Sequence, residues 1–377
     1  MNWRLQELGF LPVRDPLTRL ADPAFEAIER LGADLPRLNH DGKFRDASAS
    51  YLTPTLDWDR LVPTLDDASL ERLFKLFSYF ASASIHAPNE SPGTAVPGPG
   101  RLPAHIAIPL VRLAQAVDRP PILSYASYCL HNWRRLDPQG PVALGNIALL
   151  QNSSMPDDGK RDEDWFILVH VDIEARAGLA LRSVQSMKAA IDKNDAPVIE
   201  TLLESASQSL HAMNETLNRM PEQCSPDVYF RKVRPYIFGF NDVVYEGCFD
   251  NRPQTYRGET GAQSSIIPTM LVAFGIEHQN SLLTAHLEDM RKYMPAPHRK
   301  FISEQVSVRD FAGRAGPRVK ELYNACLSEI IAFRSRHFEY AVNYIERKVA
   351  NPIATGGTPY IPWLRQLIEE TKTFYLS

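Results

Sequence analysis

Two histidines and an arginine carry the first chemical signal in this 377-residue chain. In the segment IIAFRSRHFEYAVNYI (330–345), apolar residues recur every three or four positions through Leu322, Cys326, Ile330, Phe333, His337, Ala341 and Tyr344. That spacing places His337 on the inward face of a helix, with Arg334 one turn earlier on nearly the same face. A second seam, Phe166, His170, Ile173 and Ala177, turns His170 inward in the same way. Each imidazole, taken alone, reads as a core histidine satisfied by hydrogen bonds. Two inward histidines on separate helices allow another reading. A helical bundle can hold a haem with one histidine as proximal ligand, a polar distal group, and an arginine paired with a propionate. No C-x-x-C-H motif is present, so such a haem would be held non-covalently.

The elements that must position these groups are helices. Segments with 3.6-residue period span 68–86, 104–118, 120–133, 165–193, 196–219, 262–276, 280–293, 317–349 and 360–373. Strand-like alternation is scarce, so the fold class is all-α or mainly helical. Prolines are denser in the first 160 residues, and NESPGTAVPGPGRLP (89–103) cannot be a regular element. The charged run PDDGKRDED (156–164) reads as a hinge between a small N-terminal domain (1–158) and a large helical domain (159–377).

Composition removes several function classes. A net charge of −4 argues against nucleic acid as a partner, because a phosphate-backbone binder needs a basic face. The longest apolar run, IIPTMLVAFGI (266–276), is too short to span a bilayer. Cys129, Cys224, Cys248 and Cys326 lie far apart without zinc spacing, which suits reduced thiols in a cytoplasmic protein. His278, His286 and His298 come with no H-E-x-x-H, and no repeated Glu-x-x-His supports a di-iron site.

Further motifs follow in a fixed order: VYFRKVRPYIFGF (228–240), YRGETGAQSS (256–265), DMRKYMPAPHRKF (289–301), FRSRH (333–337) and TGGT (355–358), with PPILSYASYCLHNW (120–133) upstream. This series resembles the indoleamine 2,3-dioxygenase family over most of the chain, most densely from Tyr229 to Thr358. The resemblance implies a small domain resting on a large helical domain, with haem b enclosed between them. It also implies an enzyme that adds both atoms of O₂ across the indole C2–C3 bond of L-tryptophan, or a related indole, to give N-formylkynurenine. An external reductant would keep the iron ferrous, and the oligomeric state is left open, a monomer included.

Carried over position by position, the resemblance makes His337 the proximal iron ligand and Arg334 the partner of a propionate. Tyr125, Phe166, Tyr229, Phe230 and Ile237 fall on the distal lining, and Arg234 on the arginine that grips the substrate carboxylate. A guanidinium suits that task because its planar fork gives two parallel hydrogen bonds. The loop carrying Gly258, Thr260 and Gly261 falls beside haem and substrate, and Thr355, Gly356 and Gly357 on a mobile loop that closes over the site. Three positions depart from the pattern. His170 stands where animal members have a small hydroxyl residue and the related tryptophan 2,3-dioxygenases have a distal histidine. Glu259 replaces a glycine, where a carboxylate facing the pocket would pair with a substrate ammonium. Tyr128 adds a hydroxyl to a less polar part of the pocket. Three rival readings remain: a monooxygenase or ring-rearranging enzyme, a haem protein that binds O₂ without catalysis, and a haem-free helical interaction protein.

Overall fold

A computed structural model describes residues 5, 7–52, 56–86, 100–155, 162–279, 282–348 and 360–377. Seven helices carry the architecture: α1 (Glu26–His40), α2 (Asp67–His86), α3 (Ala104–Val117), α4 (Asp162–Asp192), α5 (Ala196–Asn218), α6 (Pro317–Tyr344) and α7 (Tyr360–Lys372). Helix α4 packs along α5, α5 against α6, and α6 against α7, while α2 packs against α1 and α3. The fold is mainly helical, as the periodicity predicts.

Local chemistry accounts for the helix ends. Helix α4 has Asp162, Glu163 and Asp164 in its first turn, where carboxylates complement the positive end of the helix dipole. Asp195 caps α5 by accepting from the Val198 amide at 3.2 Å. Helix α6 begins at Pro317 after Gly316, whose φ of 112° favours glycine. Helix α2 is buried over most of its length, and its one fully buried amine, Lys75, donates to the His131 carbonyl at 2.8 Å.

The structure corrects the expected helix over 120–133. The backbone of 121–125 is engaged by distant side chains: the Pro121 carbonyl accepts from Tyr245 Oη at 2.8 Å and the Tyr125 amide donates to Gln263 Oε1 at 3.0 Å. The chain instead forms a π-type turn, Ala126–Leu130, closed by the His131 amide on the Ala126 carbonyl at 3.0 Å. It then enters a short hairpin of β2 (Trp133–Arg135) and β3 (Ile147–Leu149). A second sheet has β4 (Phe240–Tyr245) at its centre, parallel to β1 (Arg101–Leu102) and antiparallel to β5 (Pro253–Tyr256). Pairing of Phe240 with Tyr256 sets the chain just before β4 beside the chain just after β5. Those flanks hold Arg234–Ile237 and the Gly258 loop.

One continuous buried cluster runs from Phe10 to Tyr344 through both halves of the chain. Residues 156–161 of the expected hinge, most of the proline-rich stretch 89–103, and the TGGT segment with Thr355, Gly356 and Gly357 lie outside the described residues. Among the described residues, no helix is long and apolar enough to cross a membrane.

Candidate active site

The two histidine-bearing seams are sealed along their length and open at one place each. On α6, Leu322, Cys326, Ile330, Ala341 and Tyr344 are buried, but Phe333 is only half-buried and His337 is accessible. On α4, Ile173 and Ala177 are buried, whereas Phe166 and His170 are half-buried. His337 joins two properties that seldom coincide. Its surface is open, yet enclosure by the protein pushes its pKa down to about 4, with His170 adding to the effect. Neither ring nitrogen of His337 has a hydrogen-bond partner among the described residues, so the neutral ring keeps a lone pair.

His170 is fixed in one tautomer. Its Nδ1–H donates to the Phe166 carbonyl at 2.7 Å, because a carbonyl can only accept. Burial lowers its pKa, so the ring is neutral and Nε2 keeps a lone pair.

Aromatic rings surround His170. Phe166 lies 4.7 Å from it and 4.8 Å from Tyr229, and Tyr125 stands edge-on to it at 6.0 Å. Tyr128 packs between Phe166 and the stacked ring of Tyr79. Tyr229 and Phe230 come from a second π-type turn, Tyr229–Val233, closed by the Arg234 amide on the Tyr229 carbonyl. Such turns are rare and gather at functional sites, since one extra residue per turn re-aims the side chains. Here two of them supply the wall of one pocket.

Arg234 is 1% exposed, and its guanidinium lies over the rings of Phe238, at 4.5 Å, and Phe230, at 5.6 Å. Ile237, one helical turn on, is buried beside it. The Gly258 loop meets this turn directly: the Glu259 amide donates to the Ile237 carbonyl at 3.0 Å. A Cβ on Gly258 would come within 2.3 Å of that carbonyl oxygen, so the glycine is needed for backbone contact. Gly258→Ala is expected to destabilise the fold by about 1–3 kcal/mol through overpacking, read as a lowered Tm; an unchanged Tm would show that the loop yields freely. Gly261 faces open space, and Thr260 caps the short turn Gly261–Gln263.

Glu259 is buried, and burial pushes its pKa up to about 8. It raises the pKa of Tyr125, Tyr128 and Cys129, so its carboxyl lies near those side chains. Arg334 is also buried, but its hydrogen bonds run to the Leu367 carbonyl (2.9 Å), the Thr371 hydroxyl and His278 Nε2 (3.2 Å). His278 in turn bonds Glu370 at 2.6 Å. The arginine thereby ties α7 to α6, and any contact with a propionate competes with these bonds.

The order of motifs agrees with what known proteins show. The family pattern described as indoleamine 2,3-dioxygenase matches residues 2–353. The chain belongs to the indoleamine 2,3-dioxygenase family. It is 30% identical to indoleamine 2,3-dioxygenase 1 of Rattus norvegicus, across 99% of this chain and 94% of that protein. It is 29% identical to the indoleamine 2,3-dioxygenase of Saccharomyces cerevisiae, across 96% and 90%. A protein of Fusarium equiseti named as a 6-hydroxytryptophan 2,3-dioxygenase is 28% identical across 89% and 82%. Relatives in this family are named as dioxygenases, which are oxidoreductases, and the chain is an enzyme of that class.

Several residues around the site were given no role by the motif match. Glu174, one turn beyond His170, is fully buried and accepts from Tyr125 Oη and Ser264 Oγ. Its four-residue spacing from His170 on the inward face was the available sequence signal. Gln263 accepts from the Tyr125 amide and donates to the Gly258 carbonyl, and no local pattern marks it. Phe238 and Tyr79 complete the aromatic wall.

Proposed function

We propose that the chain is a haem b-dependent dioxygenase that cleaves the indole C2–C3 bond of L-tryptophan, or of a closely related indole, to give N-formylkynurenine or its analogue. The observation that carries this reading is the pair of helical seams whose buried run is interrupted at His337 and at His170, two imidazoles near enough for one to lower the pKa of the other. An accessible, unpartnered and neutral imidazole at His337 fits a proximal haem ligand, and no cluster of three or more His, Cys, Asp or Glu among the described residues offers a different metal site. Haem held there would supply a ferrous iron able to bind O₂, given an external reductant.

The remaining work falls to the chain. The rings of Phe166, Tyr229, Tyr125 and Tyr128 exclude water and give an indole a flat apolar wall. The free Nε2 of His170 accepts a hydrogen bond from an indole N–H. Arg234 takes the substrate carboxylate, and stacking on Phe230 and Phe238 restricts its fork in advance. Glu259 receives the ammonium. Gly258 and Gly261 let the loop's main chain lie beside both ligands. Arg334 steadies the helix that carries His337. Four buried free thiols accord with a cytoplasmic setting.

The name of the Fusarium relative makes ring-hydroxylated indoles the first alternative substrates. The reading is tested by mass spectrometry of the product formed by reduced, haem-loaded protein from L-tryptophan under ¹⁸O₂. Two labelled oxygens in one product are expected. A single label would make the enzyme a monooxygenase, and no product from any indole despite bound haem would leave an O₂-binding protein.

A further inference from the structure

Glu174 joins three segments that are remote in sequence. It projects from α4 one turn past His170 and is completely buried. Its Oε1 accepts two hydrogen bonds, from Tyr125 Oη at 2.9 Å and from Ser264 Oγ at 2.8 Å. Its Oε2 has no hydrogen-bond partner among the described residues. A second chain of bonds closes the circuit: the Tyr125 amide donates to Gln263 Oε1 at 3.0 Å, and Gln263 Nε2 donates to the Gly258 carbonyl at 2.9 Å. The Tyr125 ring stands edge-on to His170. One carboxyl group thus sets both the ring beside the distal imidazole and the loop that forms the neighbouring wall.

We propose that Glu174 is a positioning residue that registers the Tyr125 ring and the loop 258–264 against His170, and that it does so as the neutral acid. The inference rests on the distal role of His170 given above. Both donors meet one oxygen, so ionisation would leave the other oxygen bare in a dry interior, at a high desolvation cost. The titratable groups around it offer no compensation. They are His170 on α4, Tyr125 and Cys129 on the π-type turn, and Glu259 on the loop, all neutral or potentially anionic, and no basic side chain offsets its charge. Burial accordingly pushes Glu174 up to about 7, against the lowering effect of its two hydrogen bonds. A carboxyl raised in the folded state favours the ordered network at low pH and loses that contribution as pH rises through about 7.

Haem-loaded wild type, Glu174→Gln and Glu174→Leu would be compared by two measurements. The first is hydrogen–deuterium exchange of the 258–266 segment at about pH 6 and about pH 8.5, corrected for intrinsic rates. The second is the pH profile of kcat/KM for L-tryptophan. Wild type is expected to lose loop protection and activity through an alkaline limb centred at about 7. Glu174→Gln should keep the protection at both pH values and lack that limb, because a carboxamide oxygen accepts both bonds and cannot ionise. Glu174→Leu should exchange at least about tenfold faster in the loop at both pH values. The same alkaline limb in Glu174→Gln, or a fully protected loop in Glu174→Leu, would overturn the proposal. Should Glu174→Leu not fold, the glutamine variant still decides. If wild type makes no product from L-tryptophan, the assigned reaction falls, while the exchange data still decide the role of Glu174.

Discussion

Replacing His337 with alanine is expected to give a folded protein that retains less than about a tenth of the wild-type haem and no measurable indole cleavage. The helix tolerates the change, because alanine is the best helix former and His337 makes no hydrogen bond with a described residue that would be lost. Its side chain is exposed, so truncation leaves no packed neighbour stranded and adds little cavity cost. What disappears is the one accessible neutral imidazole on α6. The decisive measurement is Soret absorbance per protein after haem titration, with far-UV circular dichroism to confirm helix content. Added imidazole should partly restore the spectrum by entering the space left by the side chain. Full haem occupancy with an unchanged spectrum would move the iron ligand elsewhere, and His170 would be the next residue to test.

Arg234→Ala is expected to cost about 2–5 kcal/mol in productive substrate binding, which is roughly 30- to 5,000-fold in kcat/KM for L-tryptophan. The magnitude follows from burial: a guanidinium that is 1% exposed meets a carboxylate with little competition from water. Loss of the stacked contacts with Phe230 and Phe238 also weakens the fold, by about 0.5–2 kcal/mol. A general loss of stability can be separated from loss of the clamp by using tryptamine, which has no carboxylate. Its turnover should change far less than that of L-tryptophan, so the preference for the amino acid collapses. Arg234→Lys keeps the charge and loses the fork, and should fall between the two. An unchanged kcat/KM for L-tryptophan in Arg234→Ala would remove the residue from the site.

The helices were legible because their cause is local. Each seam is set by residues three or four apart, and the segments expected at 68–86, 165–193, 196–219 and 360–373 form within a few residues of those limits. The inward direction of His337 and His170 follows from the same rule. Family membership was legible too, because motifs such as VYFRKVRPYIFGF and FRSRH recur in order along the chain, and order needs no coordinates. The helix expected over 120–133 failed for a reason the periodicity could not carry: the Pro121 carbonyl and the Tyr125 amide bond to Tyr245 and Gln263, far along the chain, and a wider turn follows.

Tertiary structure decided what lies between the helices. Whether an inward histidine is a packed core residue or faces a hollow depends on the element opposite, and the α4 seam is some 160 residues away from that of α6. The place of the Gly258 loop came from the β4–β5 pairing, which presses Gly258 against Ile237. Arg334 was fixed by α7, a helix that follows it in the chain, and its bonds to Leu367, Thr371 and His278 had no signature in FRSRH. Glu174 drew its place from Tyr125 and Ser264, 49 and 90 residues away. Periodicity and motif order reach only along the chain, so the sequence by itself determined the helices, the family and the helix face on which His337 stands. Burial, hydrogen-bond partners and the pKa values that depend on them arise between segments distant along the chain, and only the folded arrangement set them.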